Sequence, residues 1–190
     1  MHSKLLKHFS KFEDLTPEEI DAIDATMDEK SFKKNTILVE AGKKNFDVFF
    51  VLEGIVRQYI FVDGEEKTTA FYSSGEWVVA SNNLNPDQPA AHFIECATPC
   101  TVAVGNSTKG EELYNKYPKL ANISRKVMES IFIAQQERLT QFLSSEPKDR
   151  YLHLLKNNSE LFQNIPQYQI ASYIGVTPES LSRIRKRIEL

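Results

Sequence analysis

Between Lys30 and Val104 the chain is a rapid succession of short segments rich in β-branched and aromatic residues. TILVEAG, FDVFFVLEG, IVRQYIFV, KTTAFYSS and EWVVAS follow one another, and AAHFIECAT and CTVAV close the run. Asp63-Gly64 is a hairpin signal, because its glycine is free to take a positive φ. Gly42, Gly54 and Gly75 punctuate the run at further turns. Many short strands at this spacing predict an antiparallel sandwich or barrel of roughly eight strands.

Helical periodicity lies on both sides of this block. Thr16-Pro17-Glu18-Glu19 is a capping box with proline at the first helical position, opening a helix that runs to about Met27. After the strands, Glu111 to Tyr117 predicts a short helix ending before Pro118. A longer one then runs from Lys119 to about Ser144, with Leu120, Ile123, Val127, Ile131, Ala134, Leu139 and Phe142 repeating at threes and fours. Such a helix of roughly 25 residues is about 38 Å long. Met128, Phe132 and Ile133 fall beside the stripe and widen it, so it is expected both to pack on its own β domain and to form a coiled-coil seam between two subunits. Ser145-Glu146-Pro147 breaks the helix and starts the next, which reaches about Asn157.

The last stretch, IPQYQIASYIGVTPESLSRIRKRIEL, divides into two short helices around a sharp turn. Ile170, Ala171 and Ile174 give the first an apolar stripe, and Gly175 stops it. Thr177 is the N-cap of the second, with Pro178 in its first turn. Leu181, Ile184 and Ile188 turn inward, while Glu179, Ser182, Arg183 and Lys186 form the opposite, polar stripe. A short helix packed on its predecessor and offering such a face suits a DNA major groove. The net charge of −3 does not oppose this, since four of the five residues from Arg183 to Arg187 are basic and the acids crowd the N-terminal third.

IASYIGVTPESLSRIRK resembles the DNA-binding helix–turn–helix of the Crp/Fnr superfamily of bacterial transcription regulators. The resemblance extends over nearly the whole chain, because short helices, β-roll, long helix and helix–turn–helix follow in that family's order. It implies a homodimer joined along the long helix through Ile123, Val127, Ile131 and Ala134, binding a near-palindromic double-stranded operator, with RNA polymerase a further partner. Glu179, Ser180 and Arg183 match base-reading or base-adjacent positions, Ser182 and Lys186 match backbone contacts, and Thr177 at the cap completes the implied DNA-binding set.

The β-roll resembles the family's cyclic-nucleotide-binding domain, with Gly42, Glu53-Gly54 and Gly75-Glu76 in the expected roles, and Gly75, Glu76, Trp77, Ala90 and Ala91 mark the implied effector pocket. At one place it departs from the pattern. Ala90 and Ala91 stand where an arginine and a serine would hold a cyclic phosphate, and no lysine or arginine lies between Lys67 and Lys109. A phosphate there would forfeit a charge-assisted pair worth about 1.5–3 kcal/mol, so cyclic AMP binding is not expected and the effector is unidentified. Two cysteines, Cys96 and Cys100, cannot ligate an iron–sulfur cluster and are expected to fill core space. Histidines at 2, 8, 92 and 153 make no metal cluster, and no phosphate loop or nucleophile elbow points to an enzyme.

The fold expected is therefore α+β: a cyclic-nucleotide-binding-like antiparallel β-roll (jelly roll, cupin-like) with N-terminal helices over 1–108, a connecting and dimerisation helix over 109–145, and a short, apparently wingless helix–turn–helix domain over 146–190. Hydrophobic residues at 41% and charged residues at 26%, with no long apolar run and no signal-peptide region, place it in the cytoplasm away from membranes. The function expected is a dimeric, sequence-specific DNA-binding regulator whose β-roll senses an effector. Because the sequence stops at Leu190, straight after the recognition helix, the alternative is a ligand-binding scaffold whose degenerate helix–turn–helix no longer touches DNA.

Overall fold

The glycine-punctuated strands close into two antiparallel sheets in the computed structural model, which describes residues 3–80, 83, 85 and 87–188. The domain start at residue 1, the end of EWVVAS at Ser81 and the chain end at Leu190 lie outside the described residues. In chain order the strands are β1 (Met27–Phe32), β2 (Ile37–Val39), β3 (Asp47–Glu53), β4 (Val56–Val62), β5 (Glu65–Tyr72), β6 (Trp77–Val78), β7 (Phe93–Cys96) and β8 (Cys100–Asn106). One sheet has the order β1-β8-β3-β6 and the other β2-β7-β4-β5. Their inner faces meet in a core that includes Val39, Phe49, Val51, Val56, Val78, Ile94 and Val102.

Two glycines show why the sequence turns where it does. Asp63 and Gly64 both have positive φ (54° and 81°), and Val62 pairs with Glu65, so β4 and β5 are joined by the tight turn that Asp-Gly favours. A Cβ on Gly54 would stand 2.3 Å from the Pro99 carbonyl oxygen, so only glycine allows the β3–β4 corner to approach the β7–β8 corner.

Around the roll lie α1 (Ser3–Phe9), α2 (Pro17–Asp24), α3 (Ser107–Lys116), α4 (Pro118–Ser144), α5 (Pro147–Asn157), α6 (Ser159–Asn164), α7 (Gln167–Ile174) and α8 (Pro178–Ile188). The capping box forms as expected: the Glu19 amide donates to Thr16 Oγ1, and the Thr16 amide donates to Glu19 Oε2. The helix it starts ends at Asp24, earlier than expected, and Met27 already belongs to β1. That strand escapes notice because it is an edge strand whose residues 28–31 are exposed and polar, so it carries no apolar signature. The short α6 was likewise not anticipated.

The first half of α4 lies on the outer face of the β1-β8-β3-β6 sheet. Leu120, Ile123 and Val127 are buried there with Leu5, Ile23, Phe50, Leu52 and Ala103. The second half projects onward. The C-terminal helices build a core from Tyr151, Leu154, Leu161, Ile165, Ile170, Ala171, Ile174 and Leu181, which continues onto Phe71 of β5 and onto Ile55 and Ala97 in the β3–β4 and β7–β8 corners.

Candidate nucleic-acid interface and effector region

The turn between α7 and α8 is built by three backbone features. Gly175 takes the left-handed conformation (φ 76°, ψ 38°), its amide donates to the Ser172 carbonyl at 3.1 Å, and the Val176 amide reaches back to the Ala171 carbonyl at 2.9 Å. This pair of bonds satisfies carbonyls that a helix end leaves open. Thr177 then caps α8, its Oγ1 accepting from the Ser180 amide at 3.3 Å. Leu181 is 1% exposed and locks α8 against Ile170, Ala171 and Ile174.

Opposite Leu181, the polar stripe faces outward. Glu179, Ser182, Arg183 and Lys186 are all exposed, while Ser180 is half-buried. Arg183 Nη2 donates to Ser180 Oγ at 3.2 Å, which directs the guanidinium back along the helix toward its N-terminus. The Glu179 carboxyl is held below its ordinary pKa by its own backbone amide and the Thr177 hydroxyl, with Arg183 adding to the effect. Thr177, Glu179, Ser180, Ser182, Arg183 and Lys186 thus lie on one short helix and its cap.

Four residues that the sequence did not mark join this unit to the rest. β5 is an edge strand, and Ser172 of α7 occupies its free backbone groups: the Thr68 amide donates to Ser172 Oγ at 2.9 Å, and that hydroxyl faces the Glu66 carbonyl at 3.4 Å. Tyr173 adds an edge-on contact with Phe71, their centroids 5.2 Å apart. Beneath this edge Arg57 is 1% exposed, bonding Thr68 Oγ1 at 2.9 Å, Glu66 at 2.6 Å and Glu95 at 3.0 Å, with Tyr59 under its guanidinium. Arg150 of α5 ties the helix ends together. Its Nε donates to the Ile174 carbonyl at 2.8 Å, its Nη1 to the Phe142 and Ser145 carbonyls, and its guanidinium lies 4.6 Å from the Phe142 ring. An arginine in a sequence carries no periodic signal, so only the tertiary structure reveals these roles.

The five residues assigned to an effector pocket are divided between two places. Ala90 is 3% exposed in the roll core beside Val78 and Ala80, with its backbone bonded to Lys43 and Gly42. Ala91 is exposed. Gly75 (φ 93°), Glu76 and Trp77 instead turn toward α4 and line a cavity of about 140 Å³ with Ile131, Ala134 and Arg138. Glu76 accepts from the Ser73 amide at 2.7 Å and pairs with Arg138 at 2.7 Å. The cation at this turn therefore comes from the long helix, outside the segment where sequence reasoning sought one. Tyr72 beside it is pushed up to about 12, chiefly by burial.

Two of the four seam residues need correction. Ile123 and Val127 are 1% and 5% exposed, buried by their own β-roll, and have no surface left for a partner. Ile131 and Ala134 are half-buried. The exposed large apolar residues of α4 are Phe132 (63%), Ile133, Leu139, Phe142 and Leu143 (75%), all in its second half. Phe132, Gln136, Leu139 and Leu143 follow the 4-3-4 spacing of a coiled-coil seam.

Cys96 and Cys100 are both buried core thiols in contact with one another. The hydrogen bond between the two thiols pushes Cys96 up and, with bonds around Thr98, holds Cys100 below its usual value. His92 is half-buried, and burial lowers its pKa. Among the described residues, no three of His, Cys, Asp and Glu come together as a metal site, and no helix is long and apolar enough to cross a membrane.

The chain combines a β-roll of the cyclic-nucleotide-binding type with a long helix and a terminal helix–turn–helix, the fold seen in Crp/Fnr-like proteins. Residues 29–117 match the family model of the cyclic nucleotide-binding domain. No curated protein matches the sequence significantly. Among solved structures, FixK2 from Bradyrhizobium japonicum is similar at 18% identity, with 86% of this chain and 84% of that one covered and a TM-score of 0.72. The c-di-GMP responsive global regulator CLP of Xanthomonas campestris is 16% identical over 92% of each chain, with a TM-score of 0.70. The catabolite activator protein of Thermus thermophilus is 17% identical over 94% of this chain and 85% of that one, with a TM-score of 0.57. At these identities the likeness is one of fold.

Proposed function

We propose that the chain is a sequence-specific DNA-binding transcription regulator of the cytoplasm, working as a homodimer, with an effector domain that does not take cyclic AMP. The observation that carries this reading is α8: Leu181 fixes one face in the core while Glu179, Arg183 and Lys186 stand exposed on the other. A helix held this way, with its N-terminus forward, has the form that enters a major groove, where arginine can bond guanine and glutamate can accept from cytosine. The exposed Phe132, Leu139 and Leu143 stripe supports dimerisation along the second half of α4. Ala90 and Ala91, with no cation from the same loop, support the exclusion of cyclic AMP. Dimer and domain attitude can be coupled because Arg150 bonds both the end of α4 and the end of α7.

Selection of bound fragments from a random double-stranded DNA pool tests the reading. Enrichment of a near-palindrome with half-sites about one helical turn apart is expected. Failure to enrich any sequence would leave the ligand-binding scaffold as the better account.

A further inference from the structure

On the side of α4 away from the exposed stripe lies a second cavity, of about 310 Å³. Its walls come from the outer sheet face and from α1, α2, α3 and α4, and include Val48, Trp77, Leu113, Tyr114, Met128 and Ile131. Among the described residues that line it, Glu111 is the one with a charge, and it is exposed. The Tyr114 and Ser124 hydroxyls bond each other at 3.0 Å, so this polar pair is already satisfied. The Trp77 indole N–H, buried without a bond, and the Asn83 amide leave room for one or two polar contacts to a neutral ligand. No basic side chain among the described lining residues offers an anion a counter-charge and the one acid is exposed, so a charged ligand is disfavoured.

We propose that this cavity binds a neutral, largely apolar small molecule, and that this molecule is the effector. Its size sets the ligand's. An apolar cavity of about 150 Å³ holds one benzene, so one of twice that volume holds about a dozen non-hydrogen atoms, too few for a helix or a strand. Its position sets the consequence. Ligand filling the space would press on Met128, one turn before Phe132, and on Ile131 beside it, and thereby shift the half of α4 that carries the dimer seam. The effector role rests on the regulator reading; the binding itself does not.

Trp77 is the chain's single tryptophan and stands in the wall, so its fluorescence reports occupancy. Acetylnaphthalene should quench it saturably, with a dissociation constant on the order of 10 µM. Naphthalenesulfonate, the charged analogue, should bind at least about tenfold more weakly. Val48→Phe fills this cavity and not the smaller one beside Glu76, and should abolish the titration while the circular dichroism is kept. If that variant does not fold, Val79→Phe replaces it, and the parent's melting temperature should rise with the ketone and not with the sulfonate. No saturable quenching, equal binding of the sulfonate, or unchanged binding by a folded filling variant overturns the site. Full quenching with unchanged affinity for a selected operator overturns the effector role alone, because DNA selection without ligand tests the regulator reading separately.

Discussion

Replacing Arg57 with methionine removes the one cation from a buried cluster under the attachment of the helix–turn–helix. Its side chain is 1% exposed, and its two carboxylates differ: Glu66 is 37% exposed and Glu95 12%. Glu66 can turn to water when the guanidinium is gone, whereas Glu95 stays largely enclosed without a counter-charge. Removing one partner of a buried pair costs about 3–5 kcal/mol. With one carboxylate able to rehydrate, the lower end applies, about 3 kcal/mol, out of a stability of order 5–15 kcal/mol. Methionine keeps the apolar volume over Tyr59, so the loss reports the charge and not a cavity. Urea denaturation should show the midpoint falling with little change in slope. Adding Glu95→Gln should recover at least about half of the loss, because the stranded charge is then gone. A single variant within about 1 kcal/mol of the parent, or a double variant no better than the single, would refute the assignment of the cluster as one electrostatic unit.

Three further outcomes are expected. Phe132→Glu should shift light scattering from dimer toward monomer, whereas Ser130→Glu, also exposed on α4 but off the Phe132–Leu143 row, should not; a parent already monomeric at micromolar concentration would remove the basis for the seam. The Glu19 carboxyl is held below its ordinary value mainly by the Thr16 amide, aided by Lys119 of α4 at 3.0 Å. Its stabilisation is therefore present above the unfolded value near pH 4.3 and lost as pH falls through the lower folded value; Glu19→Gln should melt earlier than the parent at pH 7, with the gap closing in acid. Cyclic AMP at about 100 µM should give no calorimetric signal, and a clear sub-micromolar titration would show that Ala90 and Ala91 were wrongly placed at the phosphate.

The parts of the molecule legible in its sequence are those governed by local chemistry. Asp63-Gly64, the Thr16 capping box and Gly175-Val176-Thr177 are set by the conformational preferences of a few neighbouring residues, and each forms as read. The apolar periodicity of α4 was equally plain, but periodicity does not say what covers a stripe. Ile123 and Val127 are taken by their own sheet, and the free face begins at Phe132. β1 was read late because an edge strand with four exposed polar residues lacks the pattern that identifies buried strands. Arg57, Arg138 and Arg150 were invisible for a different reason. Each matters through at least one partner 24 to 62 residues away, and long-range pairing leaves no trace in spacing.

Affinity of the parent, Arg183→Ala and Lys186→Ala for the selected operator and its single-base variants, measured over a range of salt, tests the central claim most directly. Arg183→Ala should cost about 1–3 kcal/mol on the best site and relax preference at one base pair. Lys186→Ala should weaken all sequences alike and lower the salt slope by about one unit. If Arg183→Ala leaves both affinity and base preference unchanged, α8 does not read DNA.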